Sequence, residues 1–243
     1  MKKLLGAAAS AAVLCTGAQA FAATLVIDDF SAEQRVQDTP GFEGNVSQIA
    51  GGGILGGYRD LSVKNTAADG DNRAATELHV TGGNIKFSNV AGARGEGTLT
   101  YDGDDDPSSV NTTGLGGVNL LIGTDPYFYF ASPPGVPFDN VAEVRIQVWD
   151  ILGNTGIYTE TIDPDYDPEL AFSDAAFAGV DFSQIGALQF FISSTNTTES
   201  VDGAITGIEV RAGDVAPIPL PASGLLLLGG MGGLTFLRRR KKA

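Results

Sequence analysis

Between residues 24 and 210 the chain is divided into short β-favouring runs, each stopped by a cluster of turn-forming residues. The runs are 24–30, 60–64, 77–80, 84–88, 97–101, 118–122, 127–130, 141–150, 156–162, 187–193 and 204–210. Their separators include Gly51-Gly52-Gly53, Asp69-Gly70-Asp71-Asn72, residues 102–109, Pro133-Pro134-Gly135 and residues 193–200. Gly, Asn and Asp tolerate the left-handed backbone that reverses a strand, and Pro fixes φ for a turn. Helical periodicity is confined to 174–180, about one turn. Many short strands at this spacing predict an all-β, jelly-roll-like antiparallel sandwich. The domain, residues 23–215, is large enough to bury a core without covalent staples. It has to, because the only cysteine of the chain is Cys15, in the N-terminal leader.

Both ends of the chain differ from this middle. Lys2 and Lys3 precede an apolar, Ala-rich stretch over 4–18, and Ala18-Gln19-Ala20 or Ala20-Phe21-Ala22 supplies a small-residue cleavage site. Residues 1–22 therefore read as a secretory signal peptide. At the other end, residues 222–237 carry no charge, and Arg238 to Lys242 are five consecutive cations. Sixteen apolar residues are fewer than the roughly 20 of a full transmembrane helix. Bilayer thinning and snorkelling of the flanking cations compensate for the shortfall. The positive-inside rule puts the cations in the cytoplasm and the domain outside. Pro217, Pro219 and Pro221 keep the preceding backbone extended, within reach of a processing enzyme. Two Lys of the 15 Lys and Arg lie in the leader and five basic residues in the tail, leaving eight against all 29 Asp and Glu. So acidic a domain repels phosphate backbones, which excludes nucleic acid as a partner, and it attracts divalent cations.

Ile218-Pro219-Leu220-Pro221-Ala222, an apolar helix and a basic end with Arg238, Arg239 and Arg240, in that order, resemble the VPLPA variant of the PEP-CTERM sorting signal. Ile218 stands where that motif usually has Val. The resemblance spans residues 216–243 and implies a Gram-negative surface protein. It would be inserted in the inner membrane and then cut by an exosortase, a membrane cysteine transpeptidase, often beside exopolysaccharide production. The middle domain is similar to exported β-sandwiches of the carbohydrate-binding-module kind. The residues carrying this are Ile27-Asp28-Asp29-Phe30, residues 56–61, residues 180–185 and the closing run 201–210. That likeness implies a calcium ion between the first and last strands, for which Asp28, Asp29 and Asp202 are the candidate ligands.

The residues themselves exclude several chemistries. Gly51 to Gly56 satisfies G-x-G-x-x-G, yet neither a strand of useful length precedes it nor a helix follows, so it reads as a loop. Residues 102–106 hold four aspartates, but Pro107 and Thr113 occupy places where an EF-hand needs Gly and Glu; a solvated acidic turn fits better. Asp163, Asp165, Asp167 and Glu169 would share one side of an extended backbone, repelling unless a cation sits there. His79 is the only histidine, and it reads as half-exposed and structural. No G-x-S-x-G or P-loop occurs, so nucleophilic and phosphoryl-transfer machinery is missing. Period-2 alternation in 144–149 places Val144, Ile146 and Val148 on one face and Arg145, Gln147 and Trp149 on the other. With Tyr158, Glu160 and Gln189 from neighbouring runs, that second face has the ring, amides and guanidinium that bind sugars. The sequence thus points to a non-catalytic, polysaccharide-binding envelope or matrix protein. Alternatives are a purely structural matrix protein and a glycoside hydrolase or lyase, which would need only two carboxylates.

Overall fold

A computed structural model describes residues 22–39, 44–66, 75–131, 133, 138–164 and 169–214. The segments expected to be a signal peptide (except Ala22), a sorting motif and an anchor, and Asp165 and Asp167, lie outside the described residues. Residues 22–214 form one compact all-β unit. Its strands are β1 (Ala22–Asp28), β2 (Gln34–Asp38), β3 (Asn45–Ala50), β4 (Tyr58–Asn65), β5 (Thr76–Thr81), β6 (Asn84–Asn89) and β7 (Gly95–Tyr101). There follow β8 (Thr124–Ala131), β9 (Ala142–Asp150), β10 (Thr155–Ile162), β11 (Glu169–Ala171), β12 (Ile185–Ser193), β13 (Asp202–Ile205) and β14 (Gly207–Asp214). All pairings are antiparallel.

The strands form a six-stranded sheet, β10-β9-β12-β7-β4-β3, and two four-stranded sheets, β1-β14-β8-β11 and β13-β6-β5-β2. Both smaller sheets pack on one face of the large one. Phe128 of β8 meets Phe190 of β12 edge-on at 5.7 Å, and Leu78 of β5 lies over Gly97 of β7. At one end Phe128 is the hub of a ring cluster with Phe172 at 4.8 Å and Phe177 at 6.2 Å, while Phe182 stacks on Phe172 at 3.9 Å. Each such ring removed from water contributes about 1.5–3 kcal/mol. Where the three sheets meet, a cavity of about 70 Å³ remains, lined by Leu78, Phe87, Phe130, Ile146, Phe190 and Ile208 among others.

The structure revises several expected strands. The run 204–210 is two strands in different sheets; the chain changes sheet at Thr206, whose N–H and hydroxyl both donate to the Ala131 carbonyl at 2.7 and 3.1 Å. Residues 118–122 form only a single bridge, Val118 to Ile185, with Leu120 fully buried. The expected turn at 174–180 is a short 3-10 turn, Ala175–Phe177, capped by Asp174. Gly51 to Gly56 is a loop ending in a 3-10 turn at Leu55–Gly57 and leading straight into β4, as its surroundings suggested. His79 is half-exposed on β5, 3.5 Å from Glu77.

Candidate functional site

The core covers one face of the six-stranded sheet; the other carries the residues of interest. On β9, Ala142, Ile146 and Val148 are buried, whereas Arg145, Gln147 and Trp149 are half-exposed on the opposite face. Register extends that face across the sheet. Gln147 lies opposite Gln189 of β12, Arg145 opposite Phe191, and Trp149 opposite Ala187. Beyond them come Thr98 and Thr100 of β7, then Ser62 and Asp60 of β4, then Val46 and Gln48 of β3. Arg145 and Phe191 form a unit, the guanidinium 4.0 Å from the ring centroid. The Gln189 amide donates to the Thr100 hydroxyl at 3.1 Å. A shallow groove of about 270 Å³ crosses the far half of this face, lined by Val46, Ser62, Lys64, Glu96 and Thr98 among others.

Phe191 was within reach of the sequence, because it has the same parity as Gln189 in the run 187–193. Tyr158 requires correction. The hairpin loop of residues 151–154 pairs Thr155 with Trp149, so Tyr158 pairs with Ile146 and packs against the core. Its hydroxyl donates to Glu160 at 2.8 Å. Ile157 and Thr159 take the places beside Gln147 and Arg145 instead. The end of β9 is fixed by Asp150, whose carboxylate accepts from the N–H groups of Leu152, Asn154 and Asp181 and from the Asn154 amide. Burial works against that charge, but these donors hold its pKa below the usual carboxylate value.

The expected calcium triad also requires correction. Asp28 is fully buried, and its oxygens are occupied: Arg59 pairs with it at 2.9 Å, and the Tyr101 hydroxyl and the Phe30 N–H donate at 2.8 Å each. Burial raises the Asp28 pKa, and Arg59 opposes that. Asp29 accepts from the Ser31 N–H. Asp202 stands on β13 in a different sheet, accepting from the Ser88 hydroxyl at 2.5 Å. No three Asp, Glu, His or Cys side chains among the described residues gather as a metal site.

One residue of the outer face escaped the sequence entirely. Asp60 is 4% exposed, and neither carboxylate oxygen has a hydrogen-bond partner. Burial, and then the charges of Asp102, Asp104, Asp106 and Asp105, push its pKa up to about 7. Asp102 is itself buried, and its oxygens accept from the N–H groups of Asp104 and Asn111, closing the root of the 102–117 loop. That loop is held against the sheet ends by close approaches of Gly103 to Gly56 and of Thr112 to Gly186.

No family model and no curated protein matches the chain. Among solved structures it is similar to an agarase, at 12% identity and a TM-score of 0.39, over 82% of this chain and 25% of that one. It is also similar to a xylan-binding module, at 12% identity and a TM-score of 0.29, over 71% of this chain and 99% of that one. A third is a family 22 carbohydrate-binding module of Clostridium thermocellum, at 12% identity and a TM-score of 0.27, over 78% and 94%. The chain spans about a quarter of the length of the agarase. Likeness of this degree leaves the ligand to be argued from the chain's own surface.

Proposed function

We infer that residues 22–214 are a non-catalytic, polysaccharide-binding module of jelly-roll type. The observation that carries this reading is the common outward face of Trp149, Gln147 and Arg145, extended by Gln189 and Phe191. An indole stacks on the apolar side of a sugar ring, while amides and a guanidinium meet the hydroxyls around it. Arg145 is pre-oriented by Phe191, which lowers the entropy lost on binding. Trp149, Gln147 and Arg145 at every second position span roughly 13 Å of strand, a length suited to a polymer. The polar groove continues the track across β7 and β4. Gel electrophoresis through soluble polysaccharides tests the reading: at least one glycan should retard the protein, and Trp149→Ala should weaken binding about tenfold or more. Retardation unchanged in Trp149→Ala would remove this face from the reading, and no retardation by any glycan would favour a structural matrix role.

The ends of the chain supply the address. On this reading residues 1–22 direct export, and Ile218 to Ala222 with the basic end present the protein to an exosortase, which frees it from the inner membrane to the cell surface. Mass spectrometry of the mature C-terminus, in cells with and without the transpeptidase, tests this. The same end in both would refute it.

A further inference from the structure

Asp60 is the anomaly of the outer face. A buried carboxylate without a partner costs several kcal/mol in the ionised form, and buried polar groups are otherwise almost always hydrogen-bonded. The neighbouring aspartates are not anomalous in that way: Asp102, Asp104 and Asp106 accept from Asn111, Ser108 and backbone N–H groups within their own loop. Asp60 points away from the core, between Thr100 of β7 and Gln48 of β3. Asp102 follows Thr100 at the next position of the same parity, where the acidic loop leaves the sheet. Among the described residues no ion pair reaches Asp60: those of Arg35, Arg59, Arg94 and Arg211 are made to other acids. A buried, unpartnered carboxylate among the charges of neighbouring aspartates is a place that a hard, oxygen-seeking divalent cation would neutralise.

We propose that Asp60 and Asp102, with neutral oxygens of the sheet and of the 102–117 loop, hold one calcium ion on the outer side of the six-stranded sheet. Two carboxylates are few for calcium, and affinity follows the charge count. The site therefore belongs with extracellular modules, whose dissociation constants lie at about 10⁻⁴–10⁻³ M. The ion would tie β4 to the root of the loop and neutralise a charge the fold otherwise leaves bare. The proposal does not depend on glycan binding.

The experiment is calorimetric titration of the chelator-stripped intact protein with CaCl₂, paired with thermal melting in Ca²⁺ and in EDTA. The expected result is one ion per chain in that affinity range, a melting temperature raised by Ca²⁺, and both effects weakened about tenfold or more in Asp60→Asn, which removes charge at constant shape. Equal calcium binding in wild type and Asp60→Asn would overturn the proposal, as would no binding at about 10 mM Ca²⁺. Hydrogen exchange of the wild-type protein locates the ion without any variant: slowing at 58–62 and 100–104 is expected, and slowing elsewhere alone would refute the site.

Discussion

Arg59→Met should be among the most damaging substitutions in the domain. Arg59 is fully buried, and its guanidinium donates to Asp28 at 2.9 Å, to Gln34 at 2.8 Å and to the Ala32 carbonyl at 2.6 Å. Methionine fills a similar length but donates nothing. Asp28 would keep only Tyr101 and Phe30 as donors, while the Gln34 and Ala32 oxygens would lose theirs. Removing one partner of a buried pair costs about 3–5 kcal/mol, roughly a fifth or more of the total stability of an ordinary domain. Urea unfolding followed by fluorescence measures it as a lower midpoint at unchanged slope.

The pair can be separated from the packing with Asp28→Asn/Arg59→Met. With the charge gone, the double variant should recover about 2 kcal/mol relative to the sum of the singles. A pH series gives an independent sign. Asp28 already has a raised pKa, and losing Arg59 removes a lowering influence. In Arg59→Met the folded state therefore binds its proton more tightly than the unfolded chain does. Stability lost at neutral pH should return as pH falls through the folded pKa towards the unfolded value near 3.8, so the deficit narrows on acidification. A loss below about 1 kcal/mol, or additivity within about 0.5 kcal/mol, would refute the reasoning.

Asp60→Asn should stabilise the protein in EDTA. A folded pKa of about 7 against 3.8 unfolded means that wild-type stability falls as pH rises from about 4 to 7. The loss is on the order of 4 kcal/mol, and the variant's urea midpoint should lack that fall. Gly186→Ala should cost about 1–3 kcal/mol, because the new methyl would collide with the Thr112 carbonyl oxygen; thermal melting reads it. Phe182→Ala, which empties a place stacked on Phe172, should cost about 3–5 kcal/mol by urea unfolding. Phe191→Ala, half-exposed, should leave stability nearly intact yet weaken glycan retardation by freeing Arg145.

How far the sequence revealed this architecture depends on what each strand turns inward. β9 alternates apolar with polar residues and its faces follow from counting, whereas β12 is apolar on both faces except at Gln189 and Ser193 and takes its facing from its pairing with β9. β2 was invisible because its inward residues are Gln34, Val36 and Asp38; the polar two are buried by bonds to Arg59, Ser47 and the Asn65 N–H, supplied from β3 and β4. No local pattern announces partners that only the tertiary fold provides. Asp28 misled for the same reason: the likeness to carbohydrate-binding sandwiches implied an ion there, and its actual partner lies 31 positions away. The misplacement of Tyr158 came from the hairpin, since the length of its loop decides which residues of β10 share a face with Trp149.

Arg59 and Asp60 are consecutive on β4 and therefore point to opposite sides of the sheet. The Arg59 guanidinium is held on the core side by the Gln34 and Asp28 side chains and the Ala32 carbonyl, and β4 is hydrogen-bonded to β3 and β7 along its length. That anchoring fixes the direction of Asp60, which cannot turn inward to share the guanidinium next to it in sequence. An ordinary surface aspartate would reach water or rotate to a donor; this one is enclosed beside other aspartates on a rigid strand. A carboxylate kept unpartnered by so stiff a support is already positioned for a ligand, so binding incurs little ordering cost. Loosening the support should therefore cost affinity as well as stability. Arg59→Met, measured where it is still folded, should bind Ca²⁺ several-fold more weakly although it touches no ligand, and unchanged affinity would mean that β4 does not orient Asp60.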